Sequence, residues 1–167
     1  MTGSAAERSG AATTTEPDPE GAPTKEAQSN VSSRLAPTIT PDTQFFWDGV
    51  REHKLLIQRC DACGALRHPP RPMCPRCNSL EWDTLESSGR GEVFSFVLPQ
   101  HPPLPWFEPG YVVALVELEE GTRLVSNLVG IDGADAEIGM AVEVIYEAFD
   151  DGLVLPLFRP SPAEETS

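Results

Sequence analysis

Cys60-Asp61-Ala62-Cys63 and Cys74-Pro75-Arg76-Cys77 contain every cysteine of the chain. Two Cys-x2-Cys turns separated by ten residues supply what a tetrahedral four-thiolate zinc site needs. Each turn offers two sulfurs, and the segment between them carries the second pair across to the first. With Cys60, Cys63, Cys74 and Cys77 all bound, no position remains for water or substrate, so the metal is read as structural. Iron suits the same cage. The cysteines alone also admit disulfide pairing or a redox-active pair. His68 is close in sequence, but a fifth ligand would over-supply the site, so it is assigned to the ribbon surface or to a hydrogen bond.

Working outward, the apolar run Leu55–Arg59 reads as the strand entering the first turn, and Leu66-Arg67-His68 as its returning arm. Gly64 can take the positive φ that a metal knuckle requires. Pro69, Pro70 and Pro72 stiffen the approach to the second turn, where Pro75 fixes another φ. Such a ribbon has little apolar interior, so metal binding supplies much of its folding energy.

Upstream, Thr40 is suited to cap a helix, Pro41 to its first position and Asp42 to its positive end. Phe46, Val50 and Lys54 then share a face, widened by Phe45 and Trp47. Gly49 weakens this helix, which needs outside support. Its aromatics either cover the junction with the next domain or stay partly open to a partner or an acyl group.

Downstream of Gly89-Arg90-Gly91 the pattern turns to short strands. Glu92–Leu98 alternates Val93, Ser95 and Val97 with Phe94, Phe96 and Leu98. Tyr111–Leu118, Arg123–Val129, Val142–Phe149 and Leu153–Phe158 follow. Glu119–Thr122 and Asp150–Gly152 are hairpin turns, and Asp132–Gly139 is a short crossover. Five strands with a crossover between the third and fourth suit an OB-fold barrel, with a sandwich as the alternative. The fold class is thus mainly β: an N-terminal helix, a zinc ribbon and a five-stranded OB-fold barrel. The expected divisions are a disordered tail at 1–36, a helical segment at 37–55, the ribbon at 56–85, the barrel at 86–160 and a flexible end at 161–167.

The chain has 167 residues and a formal net charge of -14. A field of that sign repels nucleic acid unless a local basic groove dominates. The barrel sequence offers only Arg90, Arg123 and Arg159 for such a groove. The ribbon region is weakly basic, through Arg51, Lys54, Arg59, Arg67, Arg71 and Arg76. No apolar run is long enough to cross a membrane and the first residues do not form a secretory leader, so a cytoplasmic location is expected. No phosphate loop or Gly-x-Ser-x-Gly elbow is present. His53, His68 and His101 are scattered, and no catalytic residue is assigned. The proline-rich stretch Pro99–Gly110 carries Leu104, Trp106 and Phe107, either as an interface or as a connection folded over the core.

The order of an aromatic helix, the CDACG and PPRPMCPRC knuckles and the SGRGEVFSF run resembles the bacterial and archaeal DUF35 family across residues 40–159. That resemblance implies a rubredoxin-like zinc ribbon joined to an OB-fold domain, with Cys60, Cys63, Cys74 and Cys77 as the metal ligands. It further implies an accessory partner of thiolase-superfamily enzymes or acyl-CoA hydratases. Some members resemble small subunits of steroid side-chain retro-aldolases acting on CoA thioesters. The expected partner is a thiolase-like catalytic subunit in a hetero-oligomer, with a MaoC-like hydratase or an acyl-CoA thiolase or synthase as alternatives. A nucleic-acid module is a more distant one. Arg67, Arg71 and Arg76 become candidates to meet CoA phosphates or acidic partner residues. Phe45, Phe46, Trp47 and Trp106 become candidates to bury apolar surface.

Overall fold

The computed structural model describes residues 34–104, 106–149 and 152–162. The expected disordered tail therefore lies almost wholly outside the described residues, as does most of the flexible C-terminus. Helix α1 spans Gln44–Arg51, and it starts later than Thr40-Pro41 predicts. Thr40 and Thr43 first close a turn: Thr43 N–H donates to Thr40 O at 3.0 Å, and Thr40 N–H to Thr43 Oγ1 at 2.9 Å. Asp42 is consequently in the turn, and the first helical turn carries no acid. Phe46, Gly49 and Val50 face inward. The outside support that Gly49 needs comes from Leu56, whose side chain would lie 2.8 Å from a Cβ added there. Glycine lets the helix lie directly on the first strand.

That strand, β1 (Leu56–Cys60), is the centre of a three-stranded antiparallel sheet between β2 (Leu66–Arg67) and β3 (Trp82–Glu86). Strand β3 is an addition to the sequence reading. Its residues lack an apolar alternation, and its place comes from pairing in full register with β1, from Leu56↔Glu86 to Cys60↔Trp82. Cross-strand contacts hold it. The Arg59 guanidinium meets both Asp83 carboxylate oxygens, and Trp82 packs on Phe45 at 4.8 Å between ring centres.

The barrel consists of β4 (Arg90–Val97), β5 (Val112–Leu118), β6 (Arg123–Leu128), β7 (Ala141–Ala148) and β8 (Val154–Pro160). It closes in the order β4-β5-β6-β8-β7, with β7 returning to β4. The crossover from β6 to β7 holds only a 3₁₀ turn, Gly133–Asp135, capped by the Asp132 carboxylate. This is the closed, OB-type barrel that the strand count implied. Val93, Val116, Val142 and Phe158 fill its interior with no exposed surface, each contributing about 1.5–3 kcal/mol by burial.

One strand departs from simple alternation. The β4–β5 register shifts between Val93 and Ser95, so Phe94 bulges outward. Phe96 then joins Val93 on the inside, opposite buried Ala114, while Val97 turns outward. The face shared by Val93, Ser95 and Val97 in the sequence reading is therefore split by the bulge.

Helix, ribbon and barrel share one apolar core: Phe46, Val50, Leu55 and Ile57 belong to the same buried cluster as Val93, Leu124 and Phe158. At the junction, Glu120 from the β5–β6 turn accepts from Ser87 Oγ at 2.8 Å and Ser88 N–H at 2.7 Å. Glu119 pairs with Arg90. Hydrogen bonds thus lock the short link between β3 and β4. His53, just past α1, stacks on Tyr146 of β7 at 5.1 Å.

Candidate metal centre and its surroundings

Two knuckles of the same build bring the four sulfurs together. In the first, Gly64 N–H donates to Cys60 O and Cys60 N–H to Ala65 O; in the second, Asn78 N–H donates to Cys74 O and Cys74 N–H to Ser79 O. Each needs a left-handed residue immediately after its second cysteine. Gly64 supplies it at φ 70° and Asn78 at φ 60°, asparagine being among the few side chains that tolerate this region. The sequence signal was Gly64; Asn78 was missed because nothing around it resembles a glycine turn.

The ligand atoms of Cys60, Cys63, Cys74 and Cys77 all lie within 4.8 Å of one another. Cys60–Cys77 and Cys63–Cys74 are 3.6 Å apart, sulfur to sulfur. A tetrahedron with zinc–sulfur bonds of about 2.3 Å has edges of about 3.8 Å, so the donor set fits zinc. No disulfide joins the cysteines, and a 3.6 Å spacing suits sulfurs that share a metal better than a bonded pair, whose sulfurs stand about 2.05 Å apart. Burial pushes up the Cys74 thiol, but the N–H groups of Arg76 and Cys77 and neighbouring thiols outweigh it and bring it down to about 6. At Cys77 the Ser79 N–H favours the thiolate, yet the other three thiols and burial together raise it to about 12. Four thiolates can coexist here once a cation sits between them.

His68 is outside this cluster. Its ring packs on Phe46 at 4.9 Å, Nδ1 is buried without a partner among the described residues, and burial pulls its pKa down to about 4. Among the arginines expected to face phosphates, Arg67 lies inside the ribbon sheet. It is only 6% exposed, because its register partner is the buried Gln58, whose Oε1 accepts from Arg71 N–H as the chain folds back over it. Its guanidinium nitrogens have no hydrogen-bond partner among the described residues. Arg71 and Arg76 are exposed beside the second knuckle. The barrel arginines Arg90, Arg123 and Arg159 are paired with Glu119, Glu117 and Glu143, so they form no basic groove. In the Pro99–Gly110 loop, Phe107 stacks on Tyr111 at 4.1 Å and lies beneath the Arg34 guanidinium at 3.9 Å. No helix among the described residues is long and apolar enough to cross a membrane.

A family model described as the ChsH2 rubredoxin-like zinc ribbon domain matches residues 47–83, and one described as the ChsH2 C-terminal OB-fold domain matches residues 85–147. A DUF35 domain-containing scaffold protein of Methanocaldococcus jannaschii is 33% identical over 71% of this chain and 89% of its own length. The chain belongs to the DUF35 family. A probable enoyl-CoA hydratase alpha subunit of Thermomonospora curvata is 52% identical over 80% of this chain. The chain spans 42% of that protein. It spans 37% of the 48% identical 3-oxo-4,17-pregnadiene-20-carboxyl-CoA hydratase alpha subunit of Mycobacterium tuberculosis, with 70% of this chain covered. A solved structure, the Ltp2-ChsH2(DUF35) aldolase, contains a chain 53% identical to this one. The match covers 75% of this chain and 98% of that one, with a TM-score of 0.71.

Proposed function

We propose that this DUF35 protein is a noncatalytic accessory subunit of an acyl-CoA-processing complex whose bond-breaking groups sit on a thiolase-like partner, and that the reaction is retro-aldol cleavage of a steroid side-chain CoA thioester. The observation that carries this reading is the match to nearly the whole of one chain of a two-component aldolase. The chemistry of the residues supports it. The four thiols of Cys60, Cys63, Cys74 and Cys77 are committed to one cage that would hold zinc. His53 is stacked on Tyr146, and His68 is half-buried against Phe46. The ribbon and barrel divide the work as a metal-braced hairpin and a docking body, close to the divisions 56–85 and 86–160. Arg71 and Arg76 are the cations assigned to the CoA phosphates, as exposed groups whose charge can meet them directly.

The test is reconstitution with the Ltp2 component of the solved aldolase. Cleavage of a steroid-CoA thioester should be absent with this chain alone and faster with both proteins than with Ltp2 alone. Full turnover by the purified chain, or no effect on Ltp2, would sink the reading. The hydratase names of the 52% and 48% identical relatives favour a second reading, in which the chain serves a MaoC-like acyl-CoA hydratase. Stimulation of hydration but not of cleavage would select it.

A further inference from the structure

One part of the barrel's outer face, across β4, β5 and β6, carries exposed apolar side chains. Cross-strand register places Val97 beside Val113 and Asn127, and Ser95 beside Leu115 and Val125. The intervening residues, Ala114, Val116 and Leu124, are buried inside, so the valines and Leu115 point outward. Val97 is 60% exposed and Val125 64%. The β4 bulge adds Phe94, covered by the Arg123 guanidinium at 3.4 Å, and that arginine is tied to Glu117 at 3.2 Å.

From Val125 the surface continues into a groove of about 260 Å³ between β6, β8, α1 and the His68–Pro70 segment, walled by Phe46, Trp47, Leu155 and Pro156. None of its lining residues among those described is a carboxylate, in a chain with 26 Asp and Glu. Among the described residues, the only ionisable group on those walls is His68, held neutral by burial.

Charge and area together narrow the occupant. A nucleic acid needs cations, and Arg123 is already paired. A second copy would bring another formal charge of -14 against the first, a repulsion that opposes self-association. The sheet face alone offers apolar area on the order of a few hundred Å², short of the roughly 800 Å² per partner of a specific interface. The groove extends it toward that size. We propose that this strip, from Phe94 across Val97 and Val125 into the groove, docks the thiolase-like catalytic subunit, and that the surface it meets there is apolar and free of acidic groups. The proposal rests on the accessory-subunit reading above.

The experiment measures binding of the full chain to Ltp2 by calorimetry, for the native protein and for Val97→Glu, Val125→Glu and Leu80→Glu. Leu80 is an equally exposed apolar residue on the ribbon, outside the strip. Bound zinc per chain and far-ultraviolet circular dichroism verify that each variant is folded. Each valine variant should weaken binding at least tenfold, Leu80→Glu less than threefold, and native affinity should change less than threefold between 50 and 500 mM salt. Native affinity in folded valine variants, or a steep salt dependence, overturns the surface while leaving the accessory role standing. A native chain that sediments as a dimer, dissociated by Val125→Glu, overturns it in favour of self-association. No binding of the native chain to Ltp2 overturns the accessory role as well, and is read before any variant is made.

Discussion

Burial of His68 against Phe46 strips its imidazole of the water that would stabilise a positive charge. Above pH 6.5 the ring is neutral in both folded and unfolded chains. Below it the unfolded chain binds a proton that the folded one refuses until about pH 4, so stability falls through that window and levels off beneath it. Between pH 7 and pH 5 this residue should remove about 2 kcal/mol. Urea unfolding of zinc-saturated protein checks it: His68→Gln should lose that part of the pH slope, whereas an unchanged slope would contradict the burial argument. Cys74→Ala should lower bound zinc from one per chain to near none and melt the ribbon, since structural zinc contributes on the order of 10 kcal/mol. Metal analysis beside circular dichroism reads both. The cysteines were fully legible in the sequence because their spacing is their function. Arg67 was not, because its burial depends on the register with Gln58, which no local pattern records.

Among the elements, those with strong local signals were readable and those defined by partners were not. The five barrel strands show apolar alternation between turn residues, and they appear close to where the pattern sets them. Strand β3 has no such signature and exists because β1 offers it an edge. The bulge at Phe94 was equally hidden, since β5 imposes it. Helix α1 was legible but misplaced at its start, where the two threonine hydroxyls form a turn of their own. Two changes test how the elements meet. Gly49→Ala would put a methyl group 2.8 Å from Leu56 and should cost about 1–3 kcal/mol in urea unfolding. Glu120→Ala would leave Ser87 Oγ and Ser88 N–H without their acceptor and should cost about 1–3 kcal/mol. Glu119 and Glu120 read only as turn residues in the sequence, because their targets lie in a different element.

At the scale of the whole molecule, charge is divided by use. Arg51, Lys54 and Arg59 of the ribbon region are bound to Asp48, Glu52 and Asp83, leaving Arg71 and Arg76 as exposed cations beside the knuckle. In the reconstituted complex, Arg71→Ala with Arg76→Ala should raise KM for the CoA thioester about tenfold with kcat unchanged, the mark of a group that binds substrate and transition state alike. A fall in kcat at constant KM would move these arginines out of that role. The carboxylate seal between ribbon and barrel also sets an order of events during synthesis. Glu119 leaves the ribosome 31 residues after Ser88, which it holds, so both knuckles emerge and can capture metal while the seal is still unmade. The hairpin can therefore mature early, and its angle to the rest of the nascent chain is fixed only when the β5–β6 turn arrives.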